Sequence, residues 1–275
     1  MIAASKSAEL RVVFRRLHES GCFVIPNPWD LGSGLWLERL GFKALATTSS
    51  GFAWSQGRAD HQVSLADMLA HLRLIAGGVG VPVSADLGAG FATEPSGVAA
   101  SVTAAASTGI AGLSIEDGSG DPARPLFDFA LSVERVRAAR RAIDGGGAGV
   151  LLTARSEGFI VGRPDLKETI RRLTAYAEAG AECLYAPGLR SPADIAAVVG
   201  AVAPLPVNVL VSSGFTTVSE MAALGVRRIS VGSALARAAW GGFLEAAREI
   251  AERGAFSSLD RPPSFDAINK TFEPD

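Results

Sequence analysis

The stretch VPVSADLGAGF, residues 81–91, carries the clearest sign of the fold. Its first half is a short apolar run of the kind that forms a buried strand, and Asp86 closes that run. Gly88 and Gly90 follow within four residues, so the chain can turn sharply directly after the carboxylate. A buried strand that ends in a carboxylate and a tight turn is typical of a parallel sheet with polar groups beyond the carboxyl ends of its strands.

Seven further runs of this kind occur along the chain, separated by segments with helical spacing. The eight predicted strands are residues 22–26, 43–48, 81–86, 112–117, 149–155, 182–187, 206–211 and 227–232. Several of the intervening segments end in glycine, as helices often do. Eight strands that alternate with helices over about 250 residues predict an α/β fold, the (β/α)8 TIM barrel. We expect residues 1–255 to form this one domain.

The positions of the polar residues favour the barrel over an open doubly wound sheet. These residues fall at or just beyond the ends of successive predicted strands, and the carboxyl ends of the strands form the active face of a barrel. They are Asp30, Ser49, Ser50, Asp86, Glu116, Asp117, Arg155, Glu157 and Asn208. The segment VGSALARAAW, residues 231–240, follows the eighth strand and opens a helix. It could bind phosphate on exposed N–H groups or form a close-packed turn.

Composition limits the class of partner. The chain has 275 residues, of which 48% are hydrophobic, and a net charge of -2 at pH 7. Such a charge provides no attractive field for nucleic acid or an anionic membrane, and no run reaches 18 uncharged apolar residues. We therefore expect a cytoplasmic protein with a small-molecule partner. Cys22 and Cys183 lie in apolar runs, which indicates buried thiols rather than a disulfide or a metal cluster.

Three carboxylates are expected to converge on the active face. Asp86 and Glu116 end the third and fourth strands, and Asp60 follows the segment TTSSGFAWSQGRAD, residues 47–60, which we interpret as a loop. Carboxylate oxygens suit Mg²⁺, which needs only one or two protein carboxylates. The sequence therefore predicts a magnesium site, although each carboxylate alone could equally serve in a structural ion pair.

Groups suited to an anionic ligand accompany these carboxylates. Arg155 ends the fifth strand and can grip a carboxylate or a phosphate with its forked guanidinium. Backbone N–H groups around Thr48, Ser49 and Ser50 could hold a second anionic group. Together they favour a dianionic acid bound to a metal, with negative charge developing on an oxygen beside it.

In these motifs the chain resembles the isocitrate lyase and phosphoenolpyruvate mutase superfamily. The motifs occur in order along most of the chain: NPWDLGSG (27–34), TTSSGFAWSQGRAD (47–60), VSADLGAGFA (83–92), GLSIEDG (112–118), LTARSEGF (152–159), AGAECLYAPG (179–188) and PVNVLV (206–211). The resemblance implies a (β/α)8 barrel, usually tetrameric, whose last helix is exchanged between subunits. It also implies Mg²⁺, a 2-oxo or hydroxy acid, and a C–C or P–C bond made or broken through a pyruvate enolate.

The resemblance assigns roles to individual residues. Asp86 would be the direct metal ligand, with Asp60 and Glu116 reaching the metal through water. The expected substrate-binding residues are Trp29, Thr48, Ser49, Ser50, Arg155 and Asn208. The expected catalytic residues are Arg155, Glu116 and Asp60. Arg155 would stabilise the enolate oxygen or grip the substrate, and Asn208 is a looser match to a contact on the seventh strand.

Two departures from the family pattern limit these expectations. Gly88 stands where the family usually has a second acidic residue, so we expect weaker Mg²⁺ binding unless Glu94 or Glu157 compensates. The segment 117–129 has no Cys, His or Lys, which argues against the lyases that use a catalytic cysteine, and it also lacks the Lys and Asn of the mutases. With Arg124 it could serve as a lid, or it could be an ordinary surface loop.

The sequence thus predicts a Mg²⁺-dependent carbon–carbon lyase or decarboxylase for a small 2-oxo or 2-hydroxy dicarboxylic acid. A phosphoenolpyruvate mutase-like or phosphonate hydrolase-like enzyme and a degenerate acid-binding barrel are the alternatives. The general base is unidentified, since His61, the one histidine near Asp60 in sequence, is expected to face solvent. Residues 256–275 carry many large apolar groups, so we expect this tail to pack on a neighbouring subunit of a dimer or tetramer, or on its own barrel.

Overall fold

The computed structural model describes residues 4–147 and 149–273. Its eight strands are β1 Phe23–Ile25, β2 Leu45–Ala46, β3 Val83–Asp86, β4 Gly112–Glu116, β5 Leu151–Arg155, β6 Cys183–Tyr185, β7 Val207–Leu210 and β8 Arg228–Ser230. All eight predicted strands are present, each shorter than its apolar run because the hydrogen-bonded part stops before the turn residues.

The strands form one parallel sheet in the order β1-β8-β7-β6-β5-β4-β3-β2. Between β1 and β2 the gap is bridged where the Ala46 N–H donates to the Pro26 carbonyl at 3.0 Å. Pairing of the first strand with the last confirms the (β/α)8 barrel and excludes the open doubly wound sheet, whose two edges stay apart.

Helices surround the sheet on its outer face. They are α1 Ala4–Leu17, α2 Leu31–Arg39, α3 Ser49–Ser55, α4 Leu65–Gly78, α5 Pro95–Ala106, α6 Phe129–Gly145, α7 Leu166–Glu178, α8 Pro192–Val202, α9 Val218–Ala223, α10 Ala234–Arg253 and α11 Phe265–Phe272. A 3₁₀ turn at Ser257–Asp260 joins the last two. None of the described helices combines the length and apolarity that a membrane span requires.

Strand β4 illustrates how the sequence divides between core and site. Leu113 and Ile115 are buried in the main hydrophobic cluster, between the sheet and the helices. Ser114 and Glu116 alternate with them and line a cavity on the inner side of the barrel. The same alternation places polar side chains from several strands inside one cavity.

The interpretation of residues 47–60 as a loop was wrong, because residues 49–55 form helix α3. Thr48 caps this helix, its Oγ1 accepting a hydrogen bond from the Gly51 N–H at 3.4 Å. A Cβ on Gly51 would lie 2.7 Å from a Thr48 side-chain carbon and 2.9 Å from the Trp29 Cβ, so close packing requires glycine. With seven residues, serines at its start and a glycine, the helix is too short to show a clear helical period.

The tail lies against its own barrel in this single chain. Arg39 on α2 donates hydrogen bonds to the carbonyls of Lys270 at 3.1 Å and Glu273 at 2.6 Å. Phe256, Leu259 and Phe265 nevertheless remain more than half exposed. Packing on a neighbouring subunit therefore stays a prediction.

The two cysteines differ in their surroundings. Cys183 is fully buried in β6, as expected. Cys22 lies one residue before β1 and is only half-buried, so its expected place within a buried strand was wrong by one residue. Burial of Cys183 removes its thiol from water, which raises the pKa of the thiol and keeps it neutral.

Candidate active site

A cavity of about 890 Å³ opens at the carboxyl ends of the strands. Seven of the residues expected at the site line its wall: Thr48, Ser49, Ser50, Asp60, Asp86, Glu116 and Arg155, together with Asn208 deeper in the barrel. The segment 117–129 forms one side of the cavity, held as a turn by a bridge between Gly118 and Leu126. Closure of this segment over a ligand stays a prediction.

Arg155 is the centre of the charged cluster in this cavity. Its Nη1 donates to Asp86 Oδ1 at 3.0 Å, its Nε to Glu157 Oε1 at 2.9 Å, and its Nη2 to Glu157 Oε2 at 3.2 Å. Glu116 Oε2 lies 3.1 Å from Nη2 and completes the ion pairs. Three of the five guanidinium N–H groups thus donate hydrogen bonds to protein carboxylates. The other two, one on Nη1 and one on Nη2, make no hydrogen bond to the described residues, although the one on Nη2 lies beside Glu116.

Burial and like charge set the protonation of this cluster. Desolvation raises the pKa of Glu116 to about 8, with Arg155 opposing this effect and Glu157 and Asp86 adding to it. Desolvation also raises the pKa of Glu157, again against the effect of Arg155. Burial lowers the pKa of Arg155, but the three carboxylates outweigh it and hold that pKa well above its ordinary value. Glu116 is therefore the member most ready to carry a proton near neutral pH.

We expect this cluster to make folding stability depend on pH. Between about pH 4.5 and 8, Glu116 keeps its proton in the folded protein while the unfolded chain has released it, so a rise in pH favours unfolding. Glu116→Gln should remove that part of the decline in the free energy of unfolding. The difference in stability between variant and wild type should therefore shift in favour of the variant from pH 5 to pH 8. Urea unfolding in EDTA across this range measures it. The exposed Glu134→Gln is the control, and parallel curves for wild type and Glu116→Gln would contradict the assignment.

Asp86 is held in position from both sides. Its Oδ2 accepts from the Ser49 N–H at 3.2 Å, and its Oδ1 accepts from the Gly88 N–H at 3.3 Å. Its own N–H donates to Thr47 Oγ1 at 3.0 Å. The first turn of α3 is thereby fixed beside the carboxylate, and the Ser50 N–H makes no hydrogen bond to the residues that the structure describes.

The donor set suits an ion that keeps most of its water. Among the described residues, no three His, Cys, Asp or Glu side chains converge closely enough to hold a metal together. Asp86 and Glu116 nonetheless line one cavity, and Mg²⁺ is commonly held through only one or two carboxylates. The residues therefore fit Mg²⁺ bound directly through Asp86, with the other contacts made through water.

Gly88 leaves space beside Glu116. Its φ is +51°, and a Cβ there would lie 3.8 Å from Glu116 Oε1. Of the two residues considered as compensation, Glu157 lies in the cavity and binds Arg155, whereas Glu94 is an exposed N-cap of α5 off the cavity wall. Of the two, only Glu157, two residues after β5, is therefore placed in the cavity, and its compensation for the acidic residue missing at position 88 stays a prediction.

Several expected site residues lie at the edge or outside the cavity. Asp60 is on the rim, and His61 beside it is exposed over 69% of its side chain. Trp29 does not line the cavity and instead packs on Gly51 of α3. Arg124 points into solvent, 3.7 Å from Asp121. The convergence of Asp60 with Asp86 and Glu116 is accordingly looser than expected.

Two supporting residues escaped sequence reasoning. Asn27 is buried, and its Oδ1 accepts from the N–H groups of Val231 at 2.9 Å and Gly232 at 2.8 Å. Two N–H groups of the turn after β8 are thus already paired within the protein, which favours the close-packed turn over a phosphate site. Arg172 is the second: it donates to Asp117 Oδ2 at 2.9 Å, while Asp117 Oδ1 accepts from the Glu157 N–H at 2.8 Å. Only its position three residues after Thr169 on a buried helix face hinted at this role.

Comparison with known proteins identifies the family. The model of the phosphoenolpyruvate phosphomutase family matches residues 14–251. A candidate lyase/mutase from Burkholderia cenocepacia is similar in structure, with a TM-score of 0.94 and 44% identity over 98% of each chain. Oxaloacetate acetylhydrolase in complex with its product oxalate gives a TM-score of 0.85 and 26% identity, over 97% of this chain and 94% of that chain.

A further solved structure carries the name of the superfamily. It is 2,3-dimethylmalate lyase, a PEP mutase/isocitrate lyase superfamily member, with a TM-score of 0.83 and 25% identity over 99% of this chain and 95% of that chain. These matches confirm the resemblance seen in the motifs. The chain belongs to the phosphoenolpyruvate phosphomutase family, within the phosphoenolpyruvate mutase/isocitrate lyase superfamily.

Proposed function

We propose that this protein is a Mg²⁺-dependent carbon–carbon lyase or decarboxylase that acts on a small 2-oxo or 2-hydroxy dicarboxylic acid through a pyruvate-type enolate. The observation that carries the proposal is the Arg155 cluster, where a buried guanidinium with two unspent N–H groups faces a cavity beside Asp86. The similarity to 2,3-dimethylmalate lyase and to oxaloacetate acetylhydrolase supports this class of reaction.

The residues of the cavity can perform most of this chemistry. When the C3–C4 bond of a bound 2-oxo dicarboxylic acid breaks, C4 leaves as CO₂ and the electron pair forms the C2–C3 double bond, so that the oxygen on C2 becomes the enolate oxygen. A solvent proton then adds to C3 and restores the 2-oxo acid. The N–H groups of Arg155, whose side chain is 15% exposed, can donate to that oxygen as its charge develops. The free N–H at the start of α3, on Ser50, can hold the adjacent carboxylate.

The remaining carboxylates complete the arrangement. Asp86 and Glu116 would hold Mg²⁺, which when bound would act as a Lewis acid on the oxygens of the acid. Binding of a cation would lower the raised pKa of Glu116 and release its proton. Decarboxylation needs no protein nucleophile, which agrees with a cavity whose described residues include no cysteine.

Calorimetric titration of oxalate, an analogue of the pyruvate enolate, tests the proposal. We expect binding with Mg²⁺ present and at least tenfold weaker binding in EDTA. Oxaloacetate and alkyl-substituted malates are then screened for release of pyruvate or 2-oxo acid, with phosphonopyruvate included as the probe for P–C chemistry. Failure of oxalate to bind in either condition would overturn the lyase proposal, and binding without turnover of any of these acids would favour the acid-binding barrel.

A further inference from the structure

The cavity continues below Arg155 into the interior of the barrel. There, where barrels usually pack branched apolar side chains, this chain places small polar residues and one arginine. We call this region the barrel pit; it is lined by Ser84, Ser114, Asn208, Arg228 and Ser230, each no more than 9% exposed and each on the cavity wall. The pit is therefore a polar extension of the same cavity.

Arg228 in this pit is paired only with neutral groups. Its Nε donates to Asn208 Oδ1 at 2.8 Å and its Nη2 to Thr153 Oγ1 at 3.1 Å. Its Nη1 lies 3.3 Å from His18 Nε2. Across the described residues, no carboxylate lies within ion-pair distance of Arg228, which is 95% buried. Two of its five N–H groups make no hydrogen bond to the described residues.

The titratable neighbours of Arg228 do not supply the missing charge. Burial, then the charge of Arg228, lowers the pKa of His18 to about 3, so the imidazole is neutral. The Nδ1–H of His18 donates to the Phe14 carbonyl at 2.8 Å, which leaves Nε2 as an acceptor for Arg228. The thiol of Cys183 is kept neutral by burial. The guanidinium thus leaves an uncompensated positive charge in the pit.

A buried charge without a counterion is costly, and an anionic ligand would relieve that cost. In the upper half of the cavity the ratio of acidic to basic groups is reversed, since three carboxylates surround the single guanidinium of Arg155 there. A dicarboxylic acid could bind one end of its chain near Arg155 and α3, where Asp86, Glu116 and Glu157 already share the charge of the guanidinium, whereas no carboxylate of the described residues shares the charge of Arg228. The pit is the part of the cavity where a second negative charge is favoured.

We propose that the barrel pit binds the second carboxylate of the substrate, through the unspent N–H groups of Arg228 and the hydroxyls of Ser84 and Ser114. This inference rests on the proposed function and assigns a binding site to the second carboxylate of its dicarboxylic acid. Neither hydroxyl makes a hydrogen bond to the described residues, although both side chains are at least 91% buried. Asn208 is a positioning residue, because its Nδ2 donates to Ser230 Oγ at 2.9 Å while its Oδ1 holds Arg228.

Two probes that differ by one carboxylate arm separate the pit from the upper site. Oxalate, whose two carboxylates are joined directly, spans only the upper site, whereas 3,3-difluorooxaloacetate carries a 2-oxo carboxylate unit of similar size and places its second carboxylate on a CF₂ arm. For Arg228→Gln we expect at least a tenfold loss of affinity for difluorooxaloacetate and less than a twofold change for oxalate. Arg228→Lys, which keeps the charge, should lose less than Arg228→Gln. Calorimetry with Mg²⁺ present measures the affinity of the wild type and both variants for each probe.

Two further variants guard against a change in folding. Ser114→Val narrows the pit without removing its charge, and it should likewise weaken difluorooxaloacetate selectively. Arg11→Gln is the matched control, since Arg11 also donates only to neutral carbonyls, those of Ile110 and Ala106 at 3.0 Å, but lies away from the cavity.

The outcomes distinguish the two proposals. Equal changes for both probes in Arg228→Gln and Ser114→Val, or no change for either, would overturn the pit while leaving the lyase proposal standing. Wild-type protein that binds oxalate but not difluorooxaloacetate would do the same. Wild-type protein that binds neither probe would overturn the proposed function, and the pit proposal with it.

Discussion

Arg155→Gln is expected to lower turnover of the substrate by at least about 10³-fold. Loss of a single preorganised donor to a developing oxyanion typically costs about 10² to 10³ in rate, and Arg155 has two N–H groups available for this purpose. Its removal also leaves Asp86, Glu116 and Glu157 without their shared counter-charge. Arg155 lowers the pKa of Glu116 and Glu157, so in the variant these two carboxyl groups hold their protons to higher pH.

The comparison with Arg155→Lys identifies the cause of the loss. Lysine keeps the charge but cannot reproduce hydrogen bonds to Asp86 and Glu157 at once, so it should recover only part of the rate. Breaking this buried cluster should also cost about 3–5 kcal/mol of stability, so turnover is measured well below the midpoint of thermal unfolding. Arg163→Gln, exposed after β5 and off the cavity wall, is the control. Arg155→Gln with more than a tenth of wild-type turnover would rule out this role.

The fold could be predicted because its signal is repeated along the chain. Each of the eight strands ends within two residues of its apolar run, and the polar residue that closes β3, Asp86, indeed faces the cavity. The short helix α3 could not be predicted from the sequence. Its Gly51 packs against Trp29, which lies 22 residues earlier, and this contact exists only in the folded chain. Secondary structure specified by such contacts leaves little periodicity in the sequence.

The site could be predicted as a set of strand ends but not as a set of contacts. Glu157 was visible as a polar residue after the fifth strand, yet its two hydrogen bonds to Arg155 depend on how that loop turns. Asp60 was placed with Asp86 because both follow strands, whereas α3 carries it out to the rim. The inward orientation of Arg228, in contrast, could be inferred from the sequence. Side chains alternate along a strand, so Arg228 points to the same side of β8 as Ser230, two positions later, which is the inside of the barrel.

Asp86→Asn is expected to weaken Mg²⁺-dependent oxalate binding by at least about 100-fold and to abolish turnover. The substitution keeps the size of the side chain but removes its charge, and Mg²⁺ depends on charged oxygen ligands. The substitution also replaces one acceptor oxygen by an N–H₂ donor. In the wild type both oxygens of Asp86 accept hydrogen bonds, from Ser49, Gly88 and Arg155, so the new N–H₂ group would face another donor. The first turn of α3 would lose an anchor, so the affinity for oxalate without metal should also fall, by a smaller factor.

Asp60→Asn provides the matched comparison, since it makes the same chemical change on the rim of the cavity. From there the side chain could contact the metal only through water. We expect less than a tenfold effect there. Calorimetry with Mg²⁺ and with EDTA, applied to both variants, separates the two contributions. If wild-type affinity for oxalate were unchanged by EDTA, and Asp86→Asn weakened it equally in both conditions, then Asp86 would act only by holding Arg155 and α3. The space beside Gly88 would then belong to a site in which the guanidinium stabilises the developing charge without a metal.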